Sequence, residues 1–463
     1  MMHAGVRAIR AAFAALVLLS AATLGAGYVA ADRAGDRVTG DPAVEQAFRT
    51  GERGPVVGSR SAITVVATDS NAFVSDEDDA PRAMAELVAF APDGTVYYYE
   101  NDHTRYWDVD PVEGTAATVE FVYADHLPPA ACDGTVCTRN GVERVNLTTG
   151  ERTAVYSRIT PGKHSTRWHD VDRLGPERLL VADIYADRVF VANTTTGLVE
   201  WSWDAQSDFD VSSGGPYPED WTHLNDVEVV ELDGREVVMV SLRNQDQVVF
   251  VDFERGLLDE WTLGTDDEHD TLYEQHNPDF VPAERGGPAL LVADSENGRV
   301  VEYQREDGRW VQSWTWADAR LQWPRDADRL PNGHTLVTDS NGDRVLEVAR
   351  NGTVVWTASV GFPYEAERLG TGDESTGGES AAALGLPDRH PPPPSASVRA
   401  RVEATLPGPI VNAVSYLFPR WVGPSEALAV LGLVGGTLGW VTFEYRRADR
   451  RLRPRWPFRL ERR

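Results

Sequence analysis

Short apolar runs separated by turn residues dominate the middle of the chain. Four of them end on a small polar or acidic residue and cover residues 179–183, 237–241, 290–294 and 335–339. Runs rich in Val, Tyr, Phe and Thr between Asp-Gly and Asn-Gly turns are typical of strands joined by hairpins. No long helical pattern interrupts residues 62–361, so the pattern predicts an all-β domain there.

A polar tetrad precedes each of these four runs. The tetrads are Arg-Trp-His-Asp at 167–170, His-Leu-Asn-Asp at 223–226, His-Asn-Pro-Asp at 276–279 and Trp-Pro-Arg-Asp at 323–326. Their aspartates recur at intervals of roughly 50 residues, the length of one four-stranded propeller blade. Two further units, at 85–122 and 141–156, bring the count to six. The sequence therefore predicts a six-bladed β-propeller over residues 62–361.

Closure of the ring is also expected. A propeller protects its sheet edges by radial repetition, and one blade is often completed by a strand from the other end of the domain. We predict that residues 63–67 provide this closing strand.

Two apolar segments lie outside the propeller region. Residues 1–31 and 425–443 predict transmembrane helices, although the first could instead be a cleaved signal peptide. Residues 32–61 are expected to form a linker. Residues 362–424, rich in Pro, Gly and Ser, are expected to form a tether that ends in an interfacial segment. Residues 444–463 form an arginine-rich tail.

The basic residues that flank the apolar segments predict an orientation. Arg7 and Arg10 precede the first segment and the arginine tail follows the second, so the positive-inside rule places both termini in the cytoplasm. The propeller is then extracellular. On that side the acceptor triplets at Asn146, Asn193 and Asn351 are candidate glycosylation sites.

The net charge of −28 and the near absence of lysine change the picture further. Lys163 is the only lysine, which favours a halophilic protein kept soluble by acidic surface charge over an ordinary acidic secreted protein. Such acidity argues against a nucleic-acid partner. Cys132 and Cys137 are expected to form a short disulfide outside the cell, the alternative being two buried thiols.

Equivalent positions in successive blades face one axis, so the polar tetrads should converge at one mouth of the central channel. The candidate residues there are His169, His223, Asn225, His276 and Arg325, with Arg243 in a nearby turn. Arginine offers a rigid fork of donors to oxyanions. A neutral imidazole can attack an electrophile or move a proton near neutral pH.

Several of these motifs resemble those of the arylsulfotransferases. Residues 220–226 (Asp-Trp-Thr-His-Leu-Asn-Asp), followed by Ser-Leu-Arg at 241–243, are similar to the family's Asp-Trp-x-His-x-Asn and Ser-x-Arg motifs. Gln-His at 275–276, followed by 294–298, is similar to its Gln-His and Asp-Asn-Gly motifs. The resemblance covers roughly residues 62–361.

The resemblance implies a propeller that transfers a sulfuryl group from a phenolic sulfate ester to a phenol, without a nucleotide donor or other cofactor and through a sulfohistidine. It implies His276 as the nucleophile, and His223, Asn225 and Arg243 as ligands of the sulfuryl oxygens. His169 would be a further active-site residue. Arg325 and Trp221 are added as candidate substrate-binding residues.

Two other functions stay open on the sequence. Three histidines could hold zinc with water as a fourth ligand, in which case purified protein would contain metal. The chain could also be a non-catalytic binding module, because fold does not determine function. The turns at 294–298 and 339–343 resemble calcium loops superficially but lack the twelve-residue pattern, so plain hairpins are expected.

Overall fold

A computed structural model describes most of the chain. The described residues are 2–33, 48, 54–69, 85–133, 136–162, 166–318, 320–390, 406–418, 422–447, 450–453 and 459–462. The chain divides into two compact units, one of residues 36–393 and one that combines residues 1–35 with 394–463.

Six antiparallel sheets make up the larger unit. The first sheet contains β1 (Thr64–Thr68), β2 (Leu87–Phe90), β3 (Val96–Glu100) and β25 (Pro363–Arg368). The second contains β4 (Arg105–Pro111), β5 (Thr118–Leu127), β6 (Cys137–Asn146) and β7 (Glu151–Pro161). The third contains β8 (Trp168–Arg173), β9 (Arg178–Asp183), β10 (Arg188–Asn193) and β11 (Val199–Asp204).

The other three sheets follow in chain order. The fourth contains β12 (Leu224–Leu232), β13 (Arg235–Leu242), β14 (Gln247–Asp252), β15 (Gly256–Leu257) and β16 (Leu263–Gly264). The fifth contains β17 (His276–Val281), β18 (Ala289–Asp294), β19 (Arg299–Glu306) and β20 (Arg309–Trp316). The sixth contains β21 (Pro324–Arg329), β22 (Thr335–Asp339), β23 (Arg344–Val348) and β24 (Val354–Ala358).

The innermost strands of the six sheets form a closed ring. Strands β25, β4, β8, β12, β17 and β21 each contact the next, and β21 contacts β25 again. The predicted six-bladed β-propeller is therefore confirmed. The predicted closing strand is found as β1, which pairs with β25 on one side and β2 on the other. One blade thus combines strands from both ends of the domain.

The predicted end of the propeller at residue 361 needs correction, because β25 lies inside the predicted tether. After β25 the chain forms a turn at Glu374–Gly377 against β17 and β21, and then the short helix α2 at Ala381–Leu384. Arg389 bridges to Trp316. Residues 391–405 of the predicted tether lie outside the described part.

Blade boundaries near the N-terminal end also differ from the prediction. Residues 117–122 were expected in the same blade as 85–99, but β5 pairs with β4 and β6 in the next blade. The missed strands, β4 and β25, have a common physical feature. Both are innermost strands that carry acidic residues facing the channel, so neither reads as an apolar run.

A β-bulge recurs at the same level of the innermost strands. The register shifts between Tyr106 and Val109, Trp168 and Val171, Leu224 and Asp226, His276 and Asp279, and Pro324 and Asp326. The pairing of β1 with β25 shifts at the corresponding level. A bulge adds an unpaired residue and re-aims side chains. Two successive residues of such a strand can therefore both direct their side chains into the channel.

One buried ion pair joins the fifth and sixth blades. Arg329 and Glu302 are 3.2 Å apart and their side chains are fully buried, and Glu302 also accepts the backbone N–H of Ala381. Removing one charge of a buried pair leaves the other uncompensated, so Glu302→Gln should lower the free energy of unfolding by about 3 kcal/mol. Urea unfolding beside the exposed control Glu306→Gln measures this. A loss below about 1 kcal/mol would contradict the assignment.

The smaller unit contains two long apolar helices, α1 (Met2–Arg33) and α4 (Pro424–Arg447), with α3 (Gly408–Leu417) before the second. Helix α1 and helix α4 pack in contact, and a Cβ added at Gly436 would lie 3.1 Å from Leu16. Arg10 pairs with Glu444 at 2.6 Å, so the two helices are antiparallel. Residues 5–29 and 424–447 are long and apolar enough to cross a membrane.

The remaining predictions concern individual residues of the propeller. Cys132 and Cys137 are joined in a disulfide between β5 and β6. The side-chain oxygens of Asn146, Asn193 and Asn351 accept backbone N–H groups of the hairpin turns that they begin. Lys163 lies outside the described residues.

Candidate functional site

Each innermost strand contributes one side chain to a ring at the level of the bulges. These residues are Trp107, His169, Asn225, His276, Arg325 and Tyr364. Four of them come from the polar tetrads of the sequence. The repeat of the fold, rather than any local motif, brings them to one axis.

The three candidate histidines lie close together around Tyr364. The ring centres of His169 and His223 are 5.5 Å apart, and the Tyr364 hydroxyl is 3.0 Å from Nδ1 of His169. The rings of His276 and Tyr364 are 6.3 Å apart. The structure thus brings these imidazoles into one buried cluster.

The hydrogen bonds of His276 define which of its nitrogens can react. Its Nδ1 lies 2.8 Å from the hydroxyl of Ser295 and 3.2 Å from the carbonyl oxygen of Glu274. Because a carbonyl oxygen can only accept, Nδ1 carries the proton in this arrangement. In the neutral ring the lone pair is then on Nε2. The Ser295 hydroxyl in turn donates to the carbonyl oxygen of Pro324 at 2.6 Å.

His223 is held in a different way. It has a left-handed backbone conformation with φ of 46°, and its Nδ1 lies 2.7 Å from the carboxylate of Asp220. A positive φ is uncommon for a residue other than glycine and often marks a functional position. The carboxylate accepts a hydrogen bond from the protonated Nδ1, so Nε2 of the neutral ring again carries the lone pair.

All three imidazoles favour the neutral form. Burial, aided by the charge of Arg325, lowers the pKa of His276 well below its usual range. Burial and Arg167 do the same to the pKa of His169. Burial and Arg243 lower the pKa of His223 to about 4, although Asp220 opposes them. Each ring can therefore act as a nucleophile or a proton acceptor near neutral pH.

Arg325 is fixed by aromatic rings rather than by a strong ion pair. Its guanidinium carbon lies 4.6, 5.0 and 4.7 Å from the ring centres of Trp323, Phe362 and Tyr364. Its Nη1 is 3.5 Å from Asp69, a carboxylate that also pairs with Arg105 at 2.7 Å. Stacked guanidinium groups are rigid and keep donors for an oxyanion.

Arg243 approaches the cluster from a turn after β13. It forms an ion pair with Glu274, the residue whose carbonyl oxygen orients His276. Its positive charge lowers the pKa of both His223 and His276. Arg243 and Arg325 thus both act electrostatically on the imidazole of His276.

Two predicted substrate contacts look different in the structure. Trp221 is fully buried in the core between the third and fourth blades, and its indole N–H donates to the carbonyl oxygen of Ser213. The structure thus places Trp221 in the core, and its role as a substrate-binding residue stays a prediction. Asn225 donates to the carbonyl oxygen of Gln275 at 3.0 Å, and its own Oδ1 has no partner among the described residues. That oxygen accepts hydrogen bonds and would not bind an oxyanion.

Trp107, Tyr364 and Ser295 were missed in the sequence. Trp107 stacks on His169 with ring centres 4.3 Å apart. A signal for Tyr364 did exist, because Phe-Pro-Tyr-Glu at 362–365 repeats Trp-Pro-Arg-Asp at 323–326. Tyr-Trp-Asp at 106–108 similarly matches Trp-His-Asp at 168–170.

The geometry of the histidines does not match a zinc site. In the described part of the chain, two groups of side chains bring their possible metal-binding atoms within 4.8 Å of one another. Both groups contain carboxylates and no imidazole. Zinc sites are built from ligands about 2 Å from one ion. The carboxylate clusters lie further along the same channel.

Comparison with known proteins gives one family match. Residues 183–361 match the family described as arylsulfotransferase (ASST), a segment that contains His223, Arg243, His276 and Arg325. His169 and Tyr364 lie outside it. No curated protein matches the chain.

Several solved structures are similar to this chain at low sequence identity. A periplasmic gluconolactonase from Pseudomonas aeruginosa is 14% identical, with 68% of this chain and 88% of that chain covered and a TM-score of 0.42. A protein of unknown function from Bacteroides caccae is 12% identical (67% and 100% covered, TM-score 0.45). A catalytically inactive virginiamycin B lyase from Staphylococcus aureus is 9% identical (64% and 84%, TM-score 0.37). Such likeness carries no argument about function.

Proposed function

We propose that this chain is a membrane-anchored, extracellular arylsulfotransferase that moves a sulfuryl group from a phenolic sulfate ester to a phenol through a sulfohistidine at His276. The family match over residues 183–361 supports sulfuryl transfer. The observation that carries the assignment of the nucleophile is the pair of acceptors at Nδ1 of His276, which leaves Nε2 unprotonated. No cofactor is required.

In the first step, the Nε2 lone pair of His276 attacks the sulfur of the donor ester. An N–S bond forms while the bond between sulfur and the phenolic oxygen breaks, and the donor leaves as a phenolate. The Nδ1 proton stays hydrogen-bonded to Ser295 and the Glu274 carbonyl, which stabilises the positive charge that develops on the ring. A covalent intermediate of this kind divides the transfer into two displacements.

In the second step, an acceptor phenol attacks the same sulfur. An S–O bond forms, the N–S bond breaks and the imidazole of His276 is released. The phenol must lose its proton, for which the neutral rings of His223 and His169 are suitable acceptors. The unpartnered Oδ1 of Asn225 is suited to accept the hydrogen bond of the phenol hydroxyl.

Arg325 and Arg243 supply the electrostatic part of the mechanism. Sulfuryl transfer, like phosphoryl transfer, spreads negative charge over three equatorial oxygens, so fixed positive groups lower the barrier. Burial and, to a smaller extent, the same two charges keep the pKa of His276 low, so the nucleophile stays unprotonated. Binding of the oxyanion and activation of the nucleophile thus depend on one pair of residues.

Anchoring is proposed from the smaller unit. Its two apolar helices are antiparallel, so the N-terminal end of α1 and the C-terminal end of α4 lie at the same end of the pair. Arginines flank that end on both helices, which favours a cytoplasmic location for both termini. The propeller would then be outside the cell.

A transfer assay with the full chain in detergent tests this function. Chromogenic aryl sulfates are supplied with and without a phenol, at low and at molar NaCl. We expect release of the chromophore to depend on the phenol and to follow ping-pong kinetics. Release that is independent of any acceptor would indicate a sulfatase. No turnover with any donor would favour a binding module.

Ser295→Ala should lower kcat about 5–10-fold, because one hydrogen bond that orients His276 is lost while the Glu274 carbonyl remains. KM for the donor should change little, since Ser295 has no role in oxyanion binding. Steady-state kinetics of Ser295→Ala and of Ser295→Thr, which keeps the hydroxyl, measure this. An equal loss in both variants would show that packing, and not the hydrogen bond, matters.

A further inference from the structure

Acidic side chains fill the channel beyond the imidazoles. In five of the six innermost strands the ring residue is followed directly by an acid and, two residues after that acid, by a second one. These pairs are Asp108 and Asp110, Asp170 and Asp172, Asp226 and Glu228, Asp326 and Asp328, and Glu365 and Glu367. In β17, His276 is followed by Asn277, and the acid Asp279 lies three residues after His276. The segment after β25 adds Asp373 and Glu374. Several of them line a cavity of about 280 Å³.

Part of this acidity has a structural explanation. One oxygen of Asp108 accepts the backbone N–H of Val171 in the next blade, and Asp326 accepts that of Ala366 in the same way. Glu228 accepts that of Phe280. Such bonds join neighbouring blades and satisfy N–H groups of the innermost strands, each of which pairs with another strand on one edge only.

Asp328 departs from this pattern. It is 1% exposed, and in the described part of the chain neither of its carboxylate oxygens accepts a hydrogen bond from an N–H or hydroxyl donor. Asp279 and Asp326, also buried, each have one oxygen without such a donor among these residues. A buried polar group without a partner is costly, and native proteins normally satisfy it with a donor, water or an ion.

The carboxylates of these three residues converge with that of Glu374. Asp279, Asp326, Asp328 and Glu374 each offer an oxygen, and the four atoms all lie within 4.8 Å of one another. Two guanidinium groups interact with this cluster, but Arg329 is paired with Glu302 and Arg368 with Glu347. The four carboxylates therefore have no cation of their own among the residues that the structure describes.

We propose that Asp279, Asp326, Asp328 and Glu374 bind a calcium ion on the propeller axis. Ca²⁺ takes six to eight oxygen ligands, and carboxylates are its usual ones in proteins. The group contains no imidazole or thiol, which zinc or copper would prefer. Mg²⁺ keeps several waters and demands octahedral geometry, so four converging carboxylates suit it less. This proposal rests on the channel alone and is independent of the proposed transfer.

A calcium ion here would fasten the segment after β25 to the propeller. Glu374 lies on that segment in a left-handed conformation with φ of 48°, whereas Asp279 and Asp328 belong to β17 and β21. Ser375 of the same segment hydrogen-bonds to Asp279. The ion would thus connect the fifth and sixth blades to the segment that follows β25. It would also stabilise the folded state.

The test uses the full chain in detergent, stripped with a chelator and then titrated with CaCl₂. We expect calorimetry to show Ca²⁺ binding and thermal unfolding to shift upward by several degrees in Ca²⁺ relative to EGTA. Metal analysis of the protein before stripping should show bound calcium. Absence of calcium from the purified protein, together with no binding on titration, would overturn the proposal.

The variant Asp328→Asn separates the ion from the alternative that the carboxyl groups share protons. With an ion bound, Asp328→Asn should weaken Ca²⁺ binding at least about tenfold, since a charged ligand is lost. In EGTA the same variant should unfold at an equal or higher temperature, because it relieves repulsion. Asp307→Asn, at an exposed hairpin tip, is the control and should behave as wild type. Unchanged Ca²⁺ binding in Asp328→Asn would contradict the site.

Discussion

Replacing His276 by alanine should reduce sulfuryl transfer by on the order of 10⁴–10⁶-fold, the loss typical of removing a covalent nucleophile. No neighbouring group has the same environment. His169 is bound through Nδ1 to Tyr364 and stacked on Trp107, and His223 is bound to Asp220. Of these three histidines, only His276 has two hydrogen-bond acceptors at Nδ1 in the described part of the chain. Single-turnover release of the chromophore measures the loss.

The matched control for this variant is His390→Ala, an exposed histidine near the end of the described propeller. It should retain wild-type turnover. His276→Ala should still fold, and thermal unfolding of the variant checks this because it reports on the whole propeller. If His276→Ala keeps more than about a tenth of the activity while His169→Ala or His223→Ala abolishes it, the nucleophile is assigned to the wrong histidine.

Arg325→Gln should have the second largest effect and should change two quantities together. Loss of a fixed cation at the developing oxyanion lowers kcat/KM by about 10²–10³-fold. Arg325 also lowers the pKa of His276, so its removal raises that pKa toward the ordinary value. The neutral imidazole is then lost at a higher pH as the solution is acidified. The acid limb of the pH profile should move upward.

Arg325→Lys distinguishes the two contributions. Lysine keeps the charge, so the acid limb should stay close to that of the wild type, but it lacks the planar fork and the stacking on Trp323, Phe362 and Tyr364. Part of the rate should therefore be lost. A large rate loss in Arg325→Gln with no movement of its acid limb would show that Arg325 does not act on the charge of His276.

The architecture could be predicted because the second and third strands of each blade are buried on both faces and read as apolar runs. Residues 179–183 and 290–294 are examples, and both are fully buried strands apart from their ends. Strands β4 and β25 could not be found in this way. They line a polar channel, and β25 joins its sheet through pairing with β1, a contact almost three hundred residues away in sequence.

For the site, too, some residues could be predicted from the sequence and others could not. The tetrads placed His169, His276 and Arg325 on one axis because the repeat is visible in the sequence. The direction in which Asn225 faces depends on the bulge of β12, and that of Trp221 depends on the packing of the loop before β12. The sequence shows neither of these features. Trp221 turned into the core, and Tyr364 took a place in the ring that its repeat of the Trp-Pro-Arg-Asp pattern had marked.

The channel combines two opposite electrostatic environments on one axis. Arginines surround the imidazoles at one end, and unpaired carboxylates converge further along. Both environments are built on the innermost strands. The first acids of these strands accept backbone N–H groups of the next blade, and the bulges re-aim the residues just before those acids. The proposed transfer site and the proposed calcium site thus share one framework.

The most direct test of the central claim is to trap the intermediate. The full chain is incubated with an aryl sulfate in the absence of acceptor, quenched at alkaline pH, digested and analysed by mass spectrometry. The account predicts one added sulfuryl group on the peptide that contains His276, lost again when a phenol is supplied before quenching. Turnover without any adduct, or an adduct on another residue, would contradict it.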